Sequence, residues 1–276
     1  MSSFTLRPLE GWAYLAPALL LLAGVFLVPL IFTLSFSLDT PPSAQHYVAL
    51  VGEPLFQRVL GNTLTISLQA TALTVLIAYP AAFHLALQPP RRRALLMALV
   101  MLPFWTSILV KSFAFIVLLG DQGVINRTLR AIFGSEAGVT MLFNRVGVMI
   151  GLTHYLVPFV ILPVLASLLG RNQSIERAMA VMGAGPVRIF WNAILPASLP
   201  GLLAGTLMSL TLSLGFFVTP ALLGGRQDMM IANLIDFYTR EVLDWPTASA
   251  ISIILLCLSG LLITALLRAK RGESLL

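Results

Sequence analysis

Lys111 is the only Asp, Glu, Lys or Arg that falls deep within an apolar run of this chain. An ammonium in hydrocarbon is costly enough that it must face a bundle interior, a water-filled path or a partner. The competing roles are a structural contact to carbonyls and snorkelling from a shallow position. Trp105, Tyr155, Phe159, Phe216 and Phe217 stand near the middle or outer half of their own apolar runs, and with Lys111 they form the candidate lining of a path for a polar solute. An aromatic face can hold a cation without a buried carboxylate, although each ring taken singly reads first as packing.

His84 and His154 also lie in apolar runs, which raises intramembrane serine hydrolysis, a chemistry that needs a serine nucleophile beside its histidine base. No Gly-x-Ser-x-Gly sequence occurs. A Walker A sequence, a Gly-rich phosphate loop and His-Glu-x-x-His are absent as well, so no catalytic residue, metal site or cofactor is assigned and energy must come from elsewhere. The one cysteine, Cys257, excludes an internal disulfide.

The elements that must position these residues are membrane helices. The chain is 58% hydrophobic and 10% charged, with a mean hydropathy of +0.93, beyond what a soluble domain of this size shows. Its net charge of +6 is distributed between apolar runs, so it reads as a topological signal and implies no nucleic acid partner. The expectation is an all-α integral membrane protein with six spans, over about 11–38, 59–88, 94–120, 146–169, 198–223 and 245–267, forming a single transmembrane domain over residues 1–276. Ile125, Leu129, Ile132 and Phe133 at helical spacing predict an amphipathic helix outside the bilayer, and Arg226 to Asp244 a second one, with Met230, Leu234, Tyr238 and Val242 on one side.

Arg91-Arg92-Arg93, Arg171, Arg177, Arg188 and the basic tail from Arg268 fall on one side of these spans. Asp39, Glu53, Asp121, Glu136 and the four acids from Asp228 to Asp244 fall on the other. Positive charge stays inside, so both termini and the connection over about 171–197 are expected in the cytoplasm.

That connection is short, basic and punctuated by turns. Ser174 is the expected N-cap of a helix that Gly183-Ala184-Gly185 stops, and Pro186 suits the first turn of another. Two short helices should meet at an elbow with little side-chain bulk, able to seat in a cleft of another protein.

The stretch resembles the EAA loop of the permease subunits of bacterial binding-protein-dependent ABC importers. The family pattern is Glu-Ala-Ala-x-x-x-Gly, followed downstream by Ile-x-Leu-Pro. Anchored on Gly183, it falls on Arg177, Ala178 and Met179, then Gly183, then Ala193 and Leu195-Pro196. The glycine, the first alanine and the Leu-Pro match; the glutamate position holds Arg177, with Glu176 one residue early. In the family this loop docks on an ATPase subunit and passes its movement to the spans. The resemblance implies that role for Glu176, Arg177, Ala178, Gly183, Ala184, Gly185 and Pro186, and Arg177 calls for a matching acidic group on the ATPase.

Leu102 to Lys111, LPFWTSILVK, is similar to the polyamine-type branch of these permeases, as are Asn62-Thr63-Leu64 and Asp244-Trp245-Pro246. The resemblance implies a type I importer permease in the bacterial inner membrane, the first of two related permease subunits. Its implied partners are an ATPase dimer that binds the ATP and a periplasmic binding protein, and its implied substrate is putrescine or spermidine. The spans contain no Asp or Glu to balance a polycation, so an amino-acid-like, opine or phosphonate substrate stays open. An ion-coupled secondary transporter, the rival from another class, usually carries intramembrane carboxylates; a purely structural assembly subunit would use the elbow only as an anchor.

Overall fold

The computed structural model describes residues 8–38 and 45–273. The tail before Pro8, with Arg7, and the Asp39 and Pro41-Pro42 part of the first external connection lie outside the described residues. Among the described residues every regular element is helical, and six helical stretches are long and apolar enough to cross a membrane. The chain divides into two compact units. One is the chain up to Glu53 together with Ile235–Leu256, and the other is Pro54–Leu234 with the chain from Cys257 onward.

In the first unit, α1 (Pro8–Leu38) carries Pro17 and Pro29 in its interior, which a membrane helix tolerates when neighbours or local adjustments satisfy the freed carbonyls. Leu20, Val25 and Phe26 on this helix are exposed. The short α2 (Gln45–Gly52) is fastened to α1 by the Tyr47 hydroxyl, which donates to Ser37 Oγ at 2.7 Å. Past Ile235 a π-helical turn, Tyr238–Val242, leads to Leu243 in the left-handed region at φ 61°. Asp244 then caps α13 (Trp245–Glu273), its carboxylate accepting from the Thr247 amide at 3.1 Å. The Tyr238 hydroxyl reaches both carboxylate oxygens of Glu53, at 3.1 and 3.2 Å.

The second unit is built on three long helices, α3 (Pro54–Leu87), α7 (Arg145–Leu169) and α10 (Leu195–Leu214). Lipid offers apolar side chains as good a home as a neighbouring helix does, so membrane helices associate through close backbone packing and hydrogen bonds. Both devices are present. A Cβ on Gly201 of α10 would collide with the Pro163 carbonyl of α7, and one on Gly205 would stand 2.9 Å from Val160 Cα, so only glycine permits this crossing. The Tyr79 and Ser198 hydroxyls join α3 to α10 at 2.9 Å. Apolar contacts collect at the two ends of the bundle: Ala82, Leu85, Val164, Leu168 and Ile194 at one end, and Ile66, Ala70, Leu152, Leu156, Phe216 and Met230 at the other.

Two of the expected spans are not continuous. The stretch expected over 94–120 is α4 (Pro90–Trp105) followed by α5 (Ile108–Leu119), with Thr106 and Ser107 extended between them at ψ 139° and 135°. Pro103, inside the last turn of α4, has no N–H to donate back along the helix, and its carbonyl accepts from the Thr106 amide at 3.3 Å where the helix ends. The stretch expected over 198–223 is interrupted by Gly215, Phe216 and Phe217 before α11 (Val218–Leu223). Apolar residues on either side conceal both breaks.

Beyond α5, α6 (Val124–Phe133) forms where the amphipathic helix was expected, and it closes the third membrane-length stretch, Ile108–Phe133. Its buried Asn126 donates to the Gly120 and Val139 carbonyls at 3.1 and 3.0 Å, which holds the following loop in place. The second external segment forms α12 (Ile231–Phe237). Thr63 Oγ1 accepts from the Ile231 amide at 2.8 Å, and the Asn62 amide donates to the Gln227 carbonyl, so the opening of α3 anchors that segment. Of the expected apolar side, Met230 and Leu234 are buried whereas Val242 is exposed.

Candidate functional site

Between α7 and α10 the chain leaves the bundle as an elbow. Its first arm is α8 (Gln173–Val181), capped by Asn172, whose side-chain oxygen accepts from the Ser174 amide at 3.0 Å. The expected cap at Ser174 is therefore corrected by two residues; both residue types can cap, and Asn172 has the extended backbone the position requires. The arm ends in a Schellman arrangement: the Ala184 amide donates to the Met179 carbonyl and the Gly183 amide to the Ala180 carbonyl, each at 3.0 Å. Gly183 sits at φ +83°, a conformation that disfavours any side chain.

Gly185 differs from it. Its φ is −68°, it precedes Pro186 as N-cap, and nothing in the chain lies within 4 Å of where its Cβ would be. The second arm, α9 (Pro186–Ile189), is not a separate short helix as expected. It continues through a π-helical turn, Phe190–Ile194, directly into α10. Around the bend Val181, Met182 and Val187 are 89%, 78% and 70% exposed, an apolar tip beyond the end of the bundle.

Glu176 and Arg177 have different surroundings. Arg171 Nε meets Glu176 Oε1 at 2.6 Å, and Arg171 Nη1 donates to the Leu168 carbonyl at 2.6 Å. The Arg171 side chain is only 6% exposed. Arg177 and Ala178, by contrast, are exposed. The pair thus ties the first turn of α8 to the last turn of α7.

Within the bundle, Lys111 Nζ stands 5.2 Å from the centre of the Tyr155 ring, within the range of a cation–π attraction. Tyr155 packs on Phe216 at 4.8 Å and on Phe159 at 5.5 Å between ring centroids. Phe159 meets Phe104 at 5.5 Å, and Phe104 meets Trp105 at 5.9 Å. Five of the six candidate pathway residues are therefore joined in one chain of contacts, which runs from the α4–α5 break to the α10–α11 break. Trp105, 83% exposed, is its outer end. Phe217 is exposed and stands apart from those ring pairs; its carbonyl accepts from the Asn233 side chain at 3.0 Å.

Phe104, which completes the chain of rings, is missing from the sequence-derived set, because its place depends on a helix end at Trp105 that the sequence did not reveal. Ser112, His154 and Thr219 also escape that set and line a small recess with Lys111 and Tyr155. His154 lies edge-on to Phe115 at 5.3 Å, so it serves this recess as a packed ring. Broken membrane helices whose free backbone groups face a cluster of polar and aromatic side chains are the usual architecture of a solute path.

Six membrane-length helices, two broken spans and a projecting elbow define a multi-pass membrane permease. Residues 74–271 match the binding-protein-dependent transport system inner membrane components, and the chain belongs to that family: it is a permease component of an ABC transporter, located in the inner membrane. It is 35% identical over 231 residues to the spermidine/putrescine transport system permease protein PotB of Haemophilus influenzae, covering 84% of this chain and 80% of that protein. PotB of Escherichia coli strain K12 is 30% identical over 271 residues, 95% of this chain and 94% of the relative. The molybdenum transport system permease protein ModB of Mycobacterium bovis is 28% identical over 257 residues, 92% of each. The type I importer fold is shared with a chain of a bacterial alginate ABC transporter solved with an alginate-bound periplasmic protein, at a TM-score of 0.80 and 19% identity, covering 95% of this chain and 94% of that one.

Proposed function

We propose that this chain is one of two related permease subunits of a polyamine importer, and that a cytoplasmic ATPase dimer drives it through the elbow around Gly183. The observation that carries the ATPase-driven mechanism is the elbow itself. Its apolar tip is exposed, a side chain at Gly185 would meet nothing within 4 Å, and its two arms are fixed to adjacent spans. A solvent-facing surface of that kind needs a protein cleft to cover it. The nucleotide is bound in the partner, and this chain contributes Glu176, Arg177, Ala178 and Gly183 to Pro186 to the coupling element.

Closure of the ATPase dimer around ATP moves the paired elbows and turns the spans outward, so that a docked periplasmic binding protein releases its solute; hydrolysis reverses the motion. Polyamine as the substrate class is supported by the likeness to the PotB proteins along most of the chain. The aromatic path from Trp105 to Phe216 suits an ammonium without a buried carboxylate.

A second reading is favoured by Lys111, a cation in the cluster with no Asp or Glu in the spans to balance it. It suits an amino-acid-like, opine or phosphonate solute, moved by the same machinery. Co-purification with native partners, followed by ATPase assay in liposomes with candidate binding proteins, tests both readings. Stimulation by a putrescine- or spermidine-loaded binding protein supports the first. Stimulation only by an anionic or zwitterionic ligand supports the second, and ATP-independent transport under an ion gradient by the chain alone overturns both.

A further inference from the structure

The charges of the elbow are divided in a way that specifies the cleft receiving it. Glu176 is the only acid between Arg171 and Asp228, and it is consumed within the chain by the nearly buried Arg171. An ion pair so placed leaves Glu176 little to offer another protein, because each partner has already been desolvated for the other. What the elbow presents outward is Arg177 on the first arm and Arg188 on the second, both exposed, with Val181, Met182 and Val187 between them in sequence. Among the described residues neither arginine enters an ion pair.

We infer that the docking rim of this elbow is cationic throughout, and that it fits a cleft with an apolar floor and a carboxylate placed opposite Arg177. This inference rests on the reading of the elbow as the ATPase-docking element and adds the chemistry of the surface that receives it. Charge complementarity selects the occupant: the exposed apolar tip needs a protein floor, and the guanidinium needs a planar acceptor such as a carboxylate. Arg171 and Glu176 act as positioning residues, since their pair sets the angle at which α8 presents Arg177.

The test uses the complex purified with its own ATPase subunit. Val181→Cys first reports docking by disulfide or maleimide cross-linking to that subunit. In Arg177→Lys, a carbodiimide joins the new amine to any carboxylate in contact with it, and mass spectrometry locates the acid. The expected results are a cross-link from position 181, a carbodiimide link from position 177 to an Asp or Glu of the ATPase, and at least about tenfold weaker retention of the ATPase in Arg177→Glu. Reversal of the identified acid to Lys should restore retention in that variant. If position 181 cross-links while Arg177→Lys gives no carboxylate link and Arg177→Glu retains the ATPase at every salt concentration, docking stands and the cationic rim falls. If position 181 fails to cross-link in the intact complex, the docking reading falls and the rim with it.

Discussion

The Lys111 ammonium stands 5.2 Å from the centre of the Tyr155 ring, in a helix that begins immediately after one span is broken. Tyr155 in turn meets Phe216, which lies in the second break. One cation and one ring therefore connect the two places where the membrane backbone is interrupted.

Lys111→Met should reduce uptake into liposomes at least about tenfold, the scale of losing one desolvated cation–π and polar contact, while leaving membrane insertion and assembly intact. Tyr155→Leu should lower uptake to a similar degree, and the double variant should lose little more than either alone, because the two side chains form one unit. Full uptake by Lys111→Met would make the lysine a packing element.

Gly183 and Gly185 separate fold from docking. Substitution of Gly183 imposes a side chain on φ +83°, and for Gly183→Ala the cost is about 1 kcal/mol in the chain itself. Gly185→Trp has open space around it and leaves thermal stability within about 0.5 kcal/mol. The ATPase stimulated by loaded binding protein should nonetheless be lost in Gly185→Trp, and normal stimulation would show that the elbow's tip is not seated in a cleft.

Gly201→Leu should prevent α10 from closing on α7, since even a Cβ collides with the Pro163 carbonyl. The expected loss is about 3 kcal/mol or more, seen as disappearance of the folded species in detergent by size-exclusion chromatography. Gly24→Leu, on a helix position with nothing within 4 Å, should behave as wild type in the same measurement.

Tyr238 lies outside the spans, and burial raises its phenol above the usual tyrosine range, assisted by its hydrogen bond to Glu53 and by the Glu53 and Asp244 carboxylates. Because the folded-state value is the higher one, the stability this group contributes is fully present below the unfolded value near 10 and is lost as pH rises through the folded value. In an absorbance titration of tyrosinate, Tyr238→Phe should remove the component that ionises at the highest pH. Glu53→Gln should move that component downward.

The spans and the elbow were legible in the sequence because both are written in residue type: long uncharged runs, clustered arginines, and glycines next to a proline. The breaks after Trp105 and Leu214 were not, since a lost hydrogen bond leaves no mark on composition when the residues on either side remain apolar. Pro103 hinted at one of them; Gly215 alone did not reveal the other. The ring contacts of Tyr155 were legible only as a set of aromatic residues, whereas Phe104 required the knowledge that Trp105 ends a helix. Asn172 and Ser174 are both good caps, and only the backbone at Asn172 decides between them. That Glu176 turns back to Arg171 is a matter of geometry, which spacing in the sequence did not reveal.

The elbow has no slack on either arm. Arg171 clamps its first arm to α7, the π-helical turn makes its second arm one rod with α10, and those two helices touch backbone to backbone at Gly201 and Pro163. A force applied at the tip therefore cannot be absorbed by loop flexing. Under the proposed coupling role it would reach the spans as torque on the α7–α10 pair, through a lever whose stiffness sets the stroke.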